Sequence, residues 1–390
     1  MPWKETSKLE QRKELMERCL SGEESIAELS RQYGVSRETV YQWLRRMKAE
    51  GDAGLRERSR APHRQARAIE PEVAERILEV RRAHPRWGPR KILGSLGSHP
   101  EAKPWPASST VGALLKREGL VSARRKRVRV PESSQPLGHA GEPNQVWCAD
   151  FKGWFRCGDG ERCDPLTITD ACSRYLLRCR HVEKADGPHV RAVFEAVFRE
   201  NGMPEAIRTD NGSPFASKAP GGLSRLSMWW LRLGIRHERI EPGCPQQNGR
   251  HERMHQTLKQ ETASPPRANL RRQQDAFVEF EEEYNRQRPH EALGNRKPAE
   301  VYRQSARQYP SRLPELEYPA GAELRWVSQQ GSVKWKRQRT FLSEVLGREA
   351  VGLVEVDEEL FEVYYGPLLL GWLDGRHAVF QVDRKPRRRR

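Results

Sequence analysis

Residues 241–253 read Glu-Pro-Gly-Cys-Pro-Gln-Gln-Asn-Gly-Arg-His-Glu-Arg, and this stretch decides the fold. Its Pro-Gly pair and second proline indicate a turn, and the residues after them predict a helix to about Thr262. A carboxylate, two polar groups and a cation share one face of that helix: Glu252, His255, Gln256 and Lys259. Glu252 is therefore a candidate metal ligand and Lys259 a candidate phosphate contact. The alternative is an ordinary solvated face, since Glu252 follows and precedes basic residues.

Two earlier stretches each place an aspartate at the end of a short apolar, strand-like run. The first is Val-Trp-Cys-Ala-Asp at 146–150, and the second is Ala-Ile-Arg-Thr-Asp-Asn-Gly at 206–212. Aspartate is a poor strand residue, so each position needs an explanation. A capping or turn role is the alternative, above all for Asp210, because Asn-Gly follows it directly. Two strand-end aspartates and a glutamate on a later helix form the oxygen-ligand set that Mg²⁺ prefers.

Together these stretches resemble the catalytic core of the retroviral-integrase-like transposases, the D,D-E class with a ribonuclease-H-like fold. The resemblance rests on Trp-x-x-Asp, Thr-Asp-Asn-Gly and Pro-Gly-x-Pro-Gln-x-Asn-Gly-x-x-Glu-Arg. Tyr-Asn, Arg-Pro-His and Ala-Leu within 284–293, followed by Pro298, extend it. The long separation of Asp210 and Glu252 favours a bacterial insertion-sequence relative over a viral enzyme.

The resemblance implies a DNA transposase that binds the terminal inverted repeats of an insertion sequence, cleaves the 3′ ends and transfers them into target DNA. Asp150, Asp210 and Glu252 would be the catalytic residues. They would hold two Mg²⁺ ions, which Mn²⁺ can replace, about 3.5–4 Å apart, with Asp150 on both ions. In such a fold the two aspartates are adjacent and Glu252 packs across them. Two alternatives stay open: a domesticated, catalytically silent DNA-binding regulator, and a ribonuclease-H-like nuclease.

Composition indicates a polyanionic partner. The 390 residues predict two to four domains, and the net charge of +17 favours double-stranded DNA. No apolar run approaches the roughly 20 residues of a membrane span, no signal peptide is predicted, and seven scattered cysteines favour a reduced compartment. We therefore predict a cytoplasmic, nucleoid-associated protein with no membrane partner and no small-molecule substrate. Because two DNA ends must be joined, a homodimer or higher oligomer is expected on DNA.

We predict one helix-turn-helix DNA-binding domain at residues 1–50 and a second at residues 71–120. A linker at 51–70 separates them. Capping-box patterns begin the first two helices at Ser7 and Ser25, and Ser108 or Ser109 is predicted to cap the last helix of the second domain. A three-helix protein-interaction bundle is the alternative. The candidate DNA contacts on the last helix of each domain are Arg37, Thr39, Gln42, Arg45, Arg46, Lys116 and Arg117.

A basic linker at 121–143 leads into the core. Its candidate phosphate contacts are Arg124, Arg125, Lys126 and Arg127. Such a run is also typical of a solvated, disordered segment. Candidate DNA-positioning residues inside the core are Asn211, Asn248, His255 and Lys259. Each of these four has a turn or surface role as its alternative.

For the core, residues 144–300, the sequence predicts an antiparallel meander, a helix near 188–201 and the strand that ends at Asp210. Two further helices are predicted after that strand. A connector at 301–325 precedes short β runs at 326–380, which predict a small β-barrel that contacts DNA or another subunit. Residues 381–390 form a basic tail. The predicted fold class is multidomain α/β, with tandem N-terminal helix-turn-helix domains, a ribonuclease-H-like α/β core and a C-terminal small β-barrel.

Overall fold

The computed structural model of the chain describes residues 7–58, 69–97, 105–121, 140–241 and 249–382. The chain divides into two compact units, Met1–Glu70 and Pro71–Arg390. Part of the predicted basic tail and several predicted DNA contacts lie outside the described residues: Arg124, Arg125, Lys126, Arg127 and Asn248. No helix in the described ranges has both the length and the apolar character needed to cross a bilayer.

The first unit is a bundle of three helices that begin where the sequence predicts. They are α1 (Lys8–Ser21), α2 (Ile26–Gln32) and α3 (Arg37–Glu50). Ser7 and Ser25 each accept a hydrogen bond from the backbone N–H three residues later, and a glutamate at that position accepts one from the cap's own N–H. The buried core consists of Leu15, Met16, Leu29, Val40 and Leu55.

The predicted linker at 51–70 begins inside this bundle, so its first boundary is wrong. Gly51–Leu55 forms a 3₁₀ helix, and Leu55 is fully buried. The Leu55 carbonyl accepts a hydrogen bond from Arg12 Nη1 at 2.9 Å. A Cβ on Gly54 would lie 2.5 Å from the carbonyl oxygen of Arg46, so only glycine permits this close approach. A single apolar side chain therefore anchors a segment whose composition is that of a linker.

A second group of three helices opens the other unit: α4 (Pro71–Ala83), α5 (Pro89–Leu96) and α6 (Ser108–Arg117). Pro89 occupies the first turn of α5 as predicted. The predicted serine cap of α6 is wrong. The residue at the N-cap is Ala107, with no side-chain hydrogen bond, and Ser108 and Ser109 are the first helical residues.

These three helices pack against the core. Three side-chain contacts cross the junction: His84 to Glu283 at 3.4 Å, Arg86 to Glu261 at 3.6 Å, and Arg90 to Glu291. A Cβ on Gly94 of α5 would lie 3.1 Å from Cβ of Pro289, so the backbones approach closely there. The predicted second DNA-binding domain is thus part of the same compact unit as the core.

A five-stranded sheet in the order β5-β4-β1-β6-β7 is the centre of the core. The strands of the core are β1 (Val146–Phe151), β2 (Phe155–Arg156), β3 (Arg162–Cys163), β4 (Pro165–Asp170), β5 (Leu176–His181), β6 (Ala206–Thr209) and β7 (Arg236–Arg239). β1 pairs antiparallel with β4 and parallel with β6, and β6 pairs parallel with β7. β2 and β3 form a separate hairpin.

Helices cover both faces of this sheet. They are α7 (Gly187–Asn201), α8 (Arg225–Arg232), α9 (Gly249–Thr262), α10 (Leu270–Glu282) and the short α11 (Pro298–Val301). Aromatic side chains of α7 and α8, including Phe194 and Trp230, bury Trp147 of β1. Met254 of α9 and Phe277 of α10 pack on the β5 side of the sheet. The order of elements and the mixed pairing confirm the predicted ribonuclease-H-like core.

The C-terminal part is a small β domain. Its strands are β8 (Glu323–Trp326), β9 (Ser332–Trp335), β10 (Gln338–Phe341), β11 (Ala350–Asp357), β12 (Leu360–Tyr365), β13 (Leu368–Asp374) and β14 (Val379–Gln381). Five of them form an open sheet in the order β14-β13-β12-β11-β8, and β9 pairs with β10. The predicted β character is confirmed, whereas closure into a barrel is not.

The predicted connector at 301–325 is not separate from the elements on either side of it. Tyr302, Tyr309 and Leu313 pack against the core cluster beneath α7 and α8, and β8 begins within the connector. Leu223 and Met228, at the start of α8, belong to the buried cluster of the β domain. The core and the β domain therefore share apolar side chains.

Gly202 provides a test of how the core is closed. It ends α7 with φ 72° and ψ −173°, and a Cβ there would lie 2.5 Å from the Ser305 carbonyl oxygen. We expect Gly202→Ala to lower stability by about 1–3 kcal/mol from backbone strain alone, seen as a lower urea midpoint in tryptophan fluorescence. Gly187→Ala is the control, because nothing lies within 4 Å of its Cβ position. Equal midpoints for the two variants would contradict this account.

Candidate active site

The pairing of β1 with β6 sets the spacing of the two candidate aspartates. Their parallel register joins Val146 to Ala206 and Cys148 to Arg208. Continued for two more residues, beyond the end of β6 at Thr209, the same register would bring Asp150 beside Asp210. Side chains alternate across a strand, so Asp150 lies on the same face as Cys148, opposite to the face of Trp147. We therefore expect these two residues, 60 positions apart in sequence, to lie close together on one face of the sheet.

α9 lies against that face through a continuous buried stripe. Its buried residues follow helical spacing: His251, Met254, His255, Leu258 and Thr262. Glu252 sits in the first turn of α9 and is exposed, as are Gln256 and Lys259. The predicted shared face is therefore correct for these three residues and wrong for His255, which the structure buries.

The hydroxyls of two threonines of β4 contact the ring nitrogens of the two histidines of α9. Thr167 is the cross-strand partner of Asp150, and its hydroxyl donates to the Asp150 carbonyl at 3.1 Å. The Nε2 atoms of His251 and His255 lie 2.6 Å and 2.7 Å from Thr167 Oγ1. Thr169 Oγ1 lies 3.2 Å from His251 Nδ1. Polar contacts, and not apolar packing alone, hold α9 on the aspartate-bearing face.

This burial decides the protonation of the histidines. It lowers the pKa of His251 to about 3, and together with His251 and Lys152 it lowers the pKa of His255 to about 2. Both rings are neutral at physiological pH. Nδ1 of His255 is 4.0 Å from a carboxylate oxygen of Asp150. A buried, neutral His255 does not present itself to a DNA surface, so its predicted role as a DNA contact is withdrawn.

Lys152 lies near both Asp150 and Lys259. Burial and the charge of Lys259 lower the pKa of Lys152, and the Asp150 carboxylate opposes that shift. Lys259 was predicted from helical spacing, but Lys152 was missed. The alternation signal was present, because Lys152 follows Asp150 by two residues. Lys152 was hard to recognise as part of this alternation because it lies one residue beyond the end of β1 at Phe151.

The segment after Asp210 is tied down by its own polar groups. The backbone N–H of Gly212 donates to Asp210 Oδ1 at 3.1 Å, as expected for a turn at Asn-Gly. The Asn211 side-chain amide donates to the Ile240 carbonyl at 2.8 Å. Asn211 therefore links the ends of β6 and β7, which is the turn role that the sequence left open for it.

The carboxylate oxygens of Asp150 and Asp210 suit a hard cation such as Mg²⁺. Glu252 belongs to the same region through α9. Within the described ranges, however, no three carboxylate, histidine or cysteine side chains are close enough together to hold a metal ion. The donor chemistry fits a divalent cation, and Glu252 is not gathered with the two aspartates into one ligand group.

The predicted DNA contacts on the helical units vary in exposure. Arg37, Gln42 and Arg45 of α3 are exposed, and Arg45 pairs with Glu38 at 2.6 Å. Thr39 and Arg46 are half-buried. Lys116 and Arg117 are exposed in the last turn of α6.

Comparison with known families agrees with this architecture. The integrase core domain family matches residues 140–245, and a second integrase core domain family matches residues 233–298. A helix-turn-helix domain family matches residues 11–63, and a homeodomain-like family matches residues 39–115. These matches define the class: an integrase-type core preceded by helix-turn-helix domains.

Three individual proteins, all from bacterial insertion elements, are similar to this chain. An uncharacterized 39.2 kDa protein of insertion element IS476 from Xanthomonas euvesicatoria is 28% identical over 58% of this chain and 64% of its own length. An uncharacterized 31.7 kDa protein of IS407 from Burkholderia multivorans is 28% identical over 58% of this chain and 79% of its own. Transposase InsD of Escherichia coli IS2 is 28% identical over 60% of this chain and 79% of its own length. The chain is thus similar to proteins of bacterial insertion sequences, one of them a transposase, and its core matches the integrase core domain family.

Replacement of Asn211 separates its two possible roles. We expect Asn211→Ala to cost about 1 kcal/mol and to speed hydrogen exchange at residues 209–213 and 240, because the link to the Ile240 carbonyl is lost. DNA affinity should be unchanged. Asn201→Ala, which removes an amide bonded within α7 to Val197, is the control. Unchanged exchange together with weaker DNA binding would instead assign Asn211 to DNA.

Proposed function

We propose that the chain binds the terminal inverted repeats of an insertion sequence, cleaves each transposon 3′ end by hydrolysis and joins the freed 3′-hydroxyl to target DNA. The observation that carries this proposal is the parallel β1–β6 register from Val146–Ala206 to Cys148–Arg208, which supports a position of Asp150 close to Asp210 if it continues for two residues. Both reactions are phosphoryl transfers that need no protein nucleophile. A regulator that only binds DNA has no requirement for two carboxylates side by side.

The residues that would hold the cofactor are Asp150, Asp210 and Glu252. Two Mg²⁺ ions, with Mn²⁺ as a substitute, would activate the attacking oxygen and stabilise the leaving oxygen. Asp150 is fixed by β1 between two neighbouring strands, and Asp210 is held by the Gly212 N–H. Glu252 is the carboxylate whose position depends on how α9 sits on the sheet.

The basic residues would supply DNA affinity. Lys152 lies close enough to Asp150 and to Lys259 for their charges to affect its pKa. Both lysines would contact phosphates and offset the charge repulsion between DNA and the acidic site. Lys116, Arg117 and residues 124–127 would add further phosphate contacts. Because two ends must be joined, the active form would be a homodimer or larger assembly on DNA. The C-terminal β domain, which we expect to be barrel-like, would contact DNA or a second subunit, and the protein would act in the bacterial cytoplasm.

A strand-transfer assay tests the catalytic proposal directly. Purified protein, Mg²⁺ and a labelled duplex with the element's terminal repeat should give joined products. In Glu252→Gln the joined product should fall below detection, while repeat binding stays within about twofold of wild type, because α9 keeps its buried stripe. Asp150→Asn and Asp210→Asn should behave in the same way.

Glu279→Gln is the matched control, since Glu279 is exposed on α10. Full joining by Glu252→Gln would remove Glu252 from the catalytic set. Repeat binding without joining in wild type would favour the silent regulator. Cleavage of unrelated duplexes without any joined product would favour a nuclease.

The N-terminal unit is tested through α3. We expect Gln42→Ala to weaken binding to the terminal repeat by about 1–3 kcal/mol, because an amide that pairs with a base edge is lost. Binding to an unrelated duplex should be unaffected. Gln11→Ala, on the exposed side of α1, is the control, and fluorescence anisotropy at fixed salt is the measurement. An equal loss on both duplexes would show that Gln42 does not read sequence.

A further inference from the structure

The single hydroxyl hydrogen of Thr167 determines which atoms donate and which accept in the buried hydrogen-bond network beneath the aspartates. A threonine hydroxyl has one hydrogen to donate and two lone pairs to accept. The hydrogen of Thr167 goes to the Asp150 carbonyl, which can only accept. Both histidine contacts at Thr167 Oγ1 must then be donated by the rings. His251 and His255 therefore both carry their hydrogen on Nε2.

The rest of the network is consistent with that assignment. With its hydrogen on Nε2, His251 has an acceptor at Nδ1, and Thr169 Oγ1 lies within donating distance of it. The rings meet edge to face at 4.7 Å between centroids. Thr167 is fully buried, and His251 and His255 are 3% and 7% exposed. Since water does not reach these atoms, a lost partner is not replaced by solvent.

The same assignment determines what His255 presents to the site. Its Nδ1 is a lone pair, 4.0 Å from the nearer Asp150 carboxylate oxygen. A ring in this form does not donate to that carboxylate and does not neutralise it. The network thus fixes the Asp150 backbone through its carbonyl without drawing on the negative charge of its side chain.

We propose that Thr167, with His251 and His255 held as Nε2–H tautomers, is a positioning clamp that sets α9, and with it Glu252, against the Asp150 strand. This inference rests on the proposed function, because Glu252 and Asp150 are the groups positioned. Thr167 joins the Asp150 strand to α9 directly, since its one hydroxyl bonds the Asp150 carbonyl and the side chains of His251 and His255.

A second threonine supports Asp210 in a related way. Thr209 Oγ1 donates to the Asp210 carbonyl at 2.8 Å and lies 2.9 Å from His237 Nε2. Thr209 is buried, and burial together with Arg239 lowers the pKa of His237 to about 4. Each candidate aspartate therefore has its main-chain carbonyl held by a threonine that a histidine contacts in turn.

The test uses full-length protein and three variants. Thr167→Val removes the hydroxyl at nearly constant volume, and Thr167→Ser keeps it. Thr262→Val removes a buried hydroxyl of α9 that bonds only within its helix, to the Leu258 carbonyl, and is the control for lost stability. The readouts are the ¹⁵N–¹H imidazole spectrum, Mn²⁺ affinity by calorimetry, repeat binding and joining rate.

The expected spectrum of wild type has both histidines as Nε2–H tautomers, and Thr167→Val should lose this pattern for at least one ring. Mn²⁺ affinity and joining rate should each fall about 10–100-fold in Thr167→Val, as when a ligand-orienting group is lost. Repeat binding should stay within about twofold. Thr167→Ser should recover most of the loss, and Thr262→Val should retain near-wild-type values.

Other outcomes overturn the clamp. A wild-type Nδ1–H tautomer at either histidine contradicts the hydrogen count. Equal Mn²⁺ affinity in Thr167→Val and Thr262→Val removes the positioning role and leaves a structural one. Failure of the proposed function is a separate result: wild type would then join no DNA ends at all, while the spectrum and the Mn²⁺ titration still decide whether the clamp exists.

Discussion

The hydrogen bonding of β1 on both edges is the constraint on which the site depends. One edge pairs antiparallel with β4 and the other parallel with β6, so the strand cannot shift by one residue without turning its buried side chains to the opposite face. Trp147 and Ala149 on the α7–α8 face are almost wholly buried, which makes such a shift costly. The aspartate two residues beyond Cys148 takes its orientation from that burial.

Much of the core could be predicted from sequence, because its signals are local. Period-two and period-3.6 patterns located the strands and helices, and the Asn-Gly pair located the turn after Asp210. The position of His255 could not be predicted this way. Glu252 and His255 are three residues apart and share a helical side, and nothing in the spacing tells which of the two meets the sheet. Thr167 and Thr169, about 85 residues earlier, decide it.

The start of the predicted linker at residue 51 was wrong for a physical reason. Composition detects a linker by its scarcity of apolar residues, but one buried leucine at position 55 suffices to attach a segment. Several contacts between the second helical group and the core are polar, as at His84 and Glu283. Charged residues in a basic protein carry no mark that distinguishes such contacts from solvated ones or from contacts to DNA.

The side chains shared by α8 and the C-terminal β domain limit how the protein can be divided. Leu223 and Met228 are 3% and 2% exposed and belong to the same buried cluster as Val363 and Tyr365 of the β domain. A recombinant fragment that stops at residue 300 would uncover this surface next to the segment that carries Asp210. Poor solubility of such a fragment would reflect the missing cover and would say nothing about the intrinsic stability of the sheet.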